Sequence, residues 1–119
     1  MRRCRIILGA LALLPVLVFG PARAQGFLAA LEDLPLAPGL AEIEGVGVAF
    51  DTPQGRIVEA YAKGPVQAAE VLSFYGATLP QLGWSRVSDA EYRRDTEILR
   101  LEARPDGRLL VVHYSISPE

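Results

Sequence analysis

His113 and Ser115 are the first residues to test for chemistry, because an imidazole beside a hydroxyl is the heart of a nucleophilic dyad. They stand two positions apart in LLVVHYSIS, an alternating segment that reads as a strand, so they share a face but lie roughly 6.6 Å apart along its axis. Direct contact is excluded at that separation. His113 is also the only histidine, so no histidine metal cluster can form, and its expected place is the outer side of a sheet.

Carboxylates group at Glu42 and Glu44, and again at Asp89, Glu91, Asp95 and Glu97. Calcium needs six to eight oxygens, and neither group follows the D-x-D-x-D-G order that would arrange them. Arg93 and Arg94 fall inside the second group and oppose a cation there, so it reads as a solvated charged connection. No spacing supports a pair of glycosidase carboxylates. The glycines are scattered among turns and strand ends, without a phosphate-cradling G-x-G-x-x-G or Walker pattern. The expectation is therefore a protein that is not an enzyme, with no catalytic residue, no metal and no cofactor.

The first 24 residues have the layout of an export signal: Arg2, Arg3 and Arg5, an apolar run from Ile6 to Phe19, then an A-x-A site at Ala22-Arg23-Ala24. Cleavage is expected after Ala24, and a periplasmic or secreted location follows. The apolar run is shorter than the ~20 residues that span a bilayer, and Pro15 interrupts it, so a retained anchor is the lesser reading. Of the 119 residues, 95 then remain. They hold no cysteine, because Cys4 leaves with the signal, and they carry eight basic against 14 acidic residues, a net charge of −6. So acidic a surface lacks the basic footprint of a nucleic-acid or anionic-membrane binder.

The elements that would position any site follow from periodicity and turn chemistry. Residues 25 to 42 place Phe27, Leu28, Leu31 and Leu34 at near-helical spacing before Pro35 and Pro38-Gly39, which predicts a short helix over 26 to 33 and an irregular strap lying over the core. Alternation over 43 to 50 and 56 to 63, around Asp51-Thr52-Pro53-Gln54-Gly55, predicts a hairpin with a bulge. A second hairpin is expected over 98 to 103 and 109 to 116, around Pro105-Asp106-Gly107. Between them Ala68, Val71, Leu72, Tyr75, Leu79 and Leu82 form one helical stripe. Pro80 should loosen its last turn, Gly83 should end it, and Trp84 should fold back before a strand over 84 to 87. Residues 88 to 96 read as a polar connection or an extension of the neighbouring strands.

The fold class expected is α+β, a two-layer domain over 43 to 119 with one main helix on an antiparallel sheet, in the order β-β-α-β-β-β. Its inner face should comprise Val46, Val48, Phe50, Val58, Ala60, Ala62, Leu99, Leu101, Ala103, Leu110, Val112, Tyr114 and Ile116. The outer face should then carry Ile57, Glu59, Tyr61, Arg100, Leu109, Val111 and His113.

The words EDLPLAPGLAE (32 to 42), FDTPQGRIVEAYAKG (50 to 64) and FYGATLPQLGW (74 to 84) together resemble a family of small secreted bacterial proteins of unknown function. The resemblance covers most of the chain between the signal and Trp84 and implies export and a one-helix, antiparallel-sheet fold. It carries no catalytic residue with it.

Two surfaces stand out. Phe74 sits at the margin of the helical stripe, and Ile57, Tyr61, Leu109, Val111 and His113, with Arg100 at their rim, make a half-apolar outer face. The functional expectation is an envelope protein that binds a protein partner or a second copy of itself through this face or the 26 to 42 strap, with no nucleic acid and no membrane after cleavage. The alternative is a carrier of small hydrophobic ligands, using space that Ala60, Ala62 and Ala103 would leave between helix and sheet.

Overall fold

The computed structural model describes residues 26 to 119. The expected signal, its cleavage site and Cys4 lie outside the described residues. Where a short helix was expected, the chain forms a two-stranded hairpin, β1 (Phe27–Leu28) and β2 (Leu31–Pro35). Eight residues are too few for a helix to hold itself in water. The hairpin instead turns Leu28, Leu31 and Leu34 into the core, and the strap that follows buries Leu36, Ala37 and Leu40. The strap therefore covers the core, as its apolar residues predict, and of the large apolar side chains from 26 to 42 only Phe27 stays out in solvent.

β3 (Ala41–Glu42) and β4 (Val48–Thr52) both pair antiparallel with β5 (Gly55–Gly64). Gly47 lets their connection pass close to β5, because a Cβ there would stand 2.7 Å from the Glu59 carbonyl oxygen. Helix α1 (Ala68–Thr78) begins where the Glu70 carboxylate accepts the backbone N–H of Gln67, and it buries Val71 and Tyr75.

The last turn loosens into a 3-10 segment, Leu79–Leu82, at Pro80. Gly83 then takes a left-handed φ of 94°, and the backbone N–H of Trp84 donates to Leu79 O at 3.1 Å. Trp84 packs its ring in the core and carries the Arg94 guanidinium 4.2 Å above its centroid.

β6 (Ser85–Ser88), β7 (Glu91–Arg94), β8 (Glu97–Asp106) and β9 (Leu109–Pro118) complete an antiparallel sheet in the order β3-β5-β9-β8-β7-β6, with β4 beside β3 on β5. The chain is thus a sheet-dominated α+β protein with one α-helix among the described residues. The expected order β-β-α-β-β-β is corrected: β1, β2, β3 and β7 are additional strands. β7 falls in the stretch read as a polar connection or an extension of the neighbouring strands, where Tyr92 stands among charges and is fully buried.

One side of the sheet faces α1 and the strap. Val58, Ala60, Ala62, Leu99, Leu101, Leu110, Val112, Tyr114 and Ile116 are buried there, with Ala103 packed at the margin. Val46, Val48 and Phe50 were expected in this set and are exposed instead. Val46 lies in the bend before β4, outside the ladder, and for Val48 and Phe50 the reason is the length of the turn. Thr52 pairs directly with Gly55, so only Pro53 and Gln54 make the turn, and Phe50 falls opposite Ile57 rather than Val58. A shift of one residue moves a strand's side chains to the other face. Among the described residues, no helix is long and apolar enough to cross a membrane.

Candidate functional site

The outer face of the sheet gathers six of the seven residues singled out in the sequence. β5 contributes Ile57, Glu59 and Tyr61, β8 contributes Arg100 and Glu102, and β9 contributes Leu109, Val111 and His113. Phe74 is not among them. It lies on α1, half-buried, with its ring edge-on to Tyr75 at 5.0 Å between centroids, so it serves the contact between helix and strap.

Strand register sets the rows of this face. Tyr61, His113 and Glu102 stand abreast on β5, β9 and β8. The Tyr61 and His113 rings stack with centroids 4.4 Å apart and planes 4° from parallel. His113 Nε2 lies 2.6 Å from Glu59 Oε1, and its Nδ1 lies 3.7 Å from Glu102 Oε1. The imidazole is therefore flanked by two carboxylates and backed by a phenol. Glu102 also pairs with Arg104 at 2.7 Å, and that guanidinium, with a smaller contribution from His113, holds its carboxyl below the usual carboxylate range.

The next row runs Val48, Glu59, Ser115, Arg100 and Glu91, with Arg100 3.5 Å from Glu91. Ser115 lines a shallow hollow with His113, Glu102 and Arg100. It makes no hydrogen bond to His113 among the described residues, in keeping with their spacing along β9. Nor do any three His, Cys, Asp or Glu side chains among the described residues group to hold a metal ion. Chemically, this belt is a cross-strand ladder whose charges satisfy one another.

Apolar groups flank the belt on both sides. At one end Val111 sits between Lys63 and Arg104, with Leu109 beyond it, both half-buried. At the other end Phe50 pairs with Ile57, and Val48 follows on the same face. Val48 and Phe50 are 49% and 54% exposed, which makes the β4 end the more open apolar surface. The sequence reading missed both residues because it placed β4 one register step away. The turn gave no warning, because Pro53-Gln54 lacks the positive-φ residues that mark a two-residue hairpin loop.

No family model, no curated protein and no solved structure matches this chain.

Proposed function

We propose that this chain is an exported, non-catalytic binding protein of the bacterial cell envelope that docks another polypeptide on its outer sheet face. The observation that carries the reading is the placement of Val48 and Phe50. Large apolar side chains stand open beside Ile57 on the second face of a sheet whose first face is already covered by α1 and the strap. The strap is withdrawn from the docking surface, because its leucines are committed to the core. The self-neutralising belt around His113 suits a specificity-setting rim better than a reactive centre, since each charged group already has a partner.

The carrier alternative needs room between helix and sheet. Of Ala60, Ala62 and Ala103, whose small size would supply it, the first two are buried in the same cluster as Tyr75 and Tyr114 and the third packs against that cluster, so they lend it no support.

The test is cross-linking in envelope extracts followed by the same experiment with Ile57→Glu and Tyr61→Glu. A defined cross-linked product that both substitutions abolish is the expected result. A chain that captures nothing, or a product indifferent to both changes, overturns the reading.

A further inference from the structure

We infer that the partner on this surface is a second copy of the chain, joined through the free edge of β4 in an antiparallel strand pair about a two-fold axis at Phe50. The inference rests on the reading of the outer face as a docking surface and names its occupant. Among the described residues β4 pairs only with β5, so one side of Val48–Thr52 presents backbone N–H and C=O groups with no strand beside them. Proline, charged side chains, above all lysine, and bulges are among the devices that keep such an edge from pairing. VAFDT has neither proline nor lysine nor arginine, its single charge, Asp51, stands opposite Arg56 of β5, and its ladder with β5 runs without a register shift.

The opposite edge of the sheet is built differently. β6 carries Arg86 and a register shift between Arg86 and Ser88. One edge is defended and the other is open.

β4 also complements itself. Centred on Phe50, an antiparallel copy sets Phe50 against Phe50, Val48 against Thr52 and Ala49 against Asp51. An aromatic meets an aromatic, a β-branched residue meets another, and no two carboxylates oppose each other. Asp51 already has Arg56 across from it within its own chain. On the outer face the two Phe50 rings, flanked by Ile57 of each copy, would join the two apolar patches across the seam. A two-fold pair of this kind is closed, whereas joining β4 to β6 of the next copy would propagate into a filament.

The experiment uses the chain with Cys4→Ser, so that introduced cysteines are the only thiols. Its mass in solution is measured across a dilution series by sedimentation. Cross-linking with a short bismaleimide is then compared for Phe50→Cys and for Val87→Cys, which is equally exposed at 54% but lies on the other edge. The expected result is twice the monomer mass, rapid cross-linking at position 50 and none at 87. Phe50→Lys sets two ammonium groups face to face and should weaken the dimer by at least about tenfold; Phe50→Ala should weaken it less.

A chain that stays monomeric throughout, a dimer that Phe50→Lys leaves intact, or equal cross-linking at 87 overturns the inference. Its failure is separable from that of the binding reading. A monomer that still captures another protein, sensitive to Tyr61→Glu, leaves the outer face as a docking surface and removes only the second copy. A Phe50-dependent dimer that captures nothing else establishes the seam alone.

Discussion

The hydroxyl of Tyr75 lies 2.7 Å from that of Tyr114, and the direction of the bond between them is determined by their neighbours. Tyr75 spends its single proton on Pro35 O at 2.8 Å and accepts from the backbone N–H of Ala37 at 3.1 Å. Tyr114 must therefore be the donor to Tyr75. One phenol on α1 thus binds the strap on one side and β9 on the other, in a fully buried setting.

Removing that hub strands more groups than removing its donor. Tyr75→Phe leaves the Pro35 carbonyl, the Ala37 amide and the Tyr114 hydroxyl without this partner and should cost about 2–3 kcal/mol. Tyr114→Phe deletes one donor and leaves Tyr75 with its other two bonds, so about 1 kcal/mol is expected. Urea unfolding of the two variants should rank them in that order.

The same pair sets an alkaline limit on stability. Burial raises the Tyr75 pKa from 10.0 to about 12, and burial, followed by the neighbouring Tyr75, raises Tyr114 well above its ordinary value. The folded protein then keeps protons that the unfolded chain releases above pH 10, so stability falls as pH rises. The tyrosine contribution is complete below pH 10 and drains away between pH 10 and about 12. Urea midpoints across that window should decline, and less steeply in Tyr75→Phe.

Two glycines should respond to alanine in opposite ways. A Cβ on Gly64 would stand 1.9 Å from the Gly39 carbonyl oxygen, where the strap crosses the end of β5, so Gly64→Ala should cost about 3 kcal/mol or expel the strap. A Cβ on Gly76 would meet only the Tyr92 hydroxyl, at an ordinary 3.7 Å. Gly76→Ala should stabilise by about 0.5–1 kcal/mol through helix propensity. Melting temperatures moving in opposite directions would confirm both.

Arg94 joins three parts of the fold. It stacks on Trp84, donates to Leu82 O at 3.0 Å and pairs with Asp33 at 2.9 Å. Arg94→Ala should cost about 1–2 kcal/mol, most of it from the stack and the carbonyl, since Asp33 is half exposed. Arg94→Lys should recover little, because an ammonium lacks the planar fork that stacks and donates together. Denaturant midpoints of the two variants should nearly coincide.

Local chemistry makes part of this fold legible in the sequence. Pro80, Gly83 and Trp84 announced how α1 ends, and the alternation of β5, β8 and β9 announced which residues the helix covers. Three features were not legible, each for a physical reason. Leu28, Leu31 and Leu34 repeat at a spacing that fits a helix as well as a hairpin, and the choice depends on Tyr75, some 40 residues away, being there to satisfy Pro35. Tyr92 is a single buried residue in a charged stretch, and one apolar side chain sets no period. The side taken by Val48 and Phe50 hangs on one residue of turn length, which alternation alone does not contain. That last ambiguity reached the candidate site directly, because it moved the most open apolar groups from the expected core to the opposite face.

The bonds to Pro35 and Ala37 span 40 and 38 positions of chain. Contacts of such reach cannot mature until the helix and the final hairpin exist to receive them. The amino-terminal segment should accordingly be the last to settle as the molecule folds, a latch that shuts over a finished interior. Until it closes, the leucines beneath it are bare, and that interval is when the folding chain is most exposed to proteases.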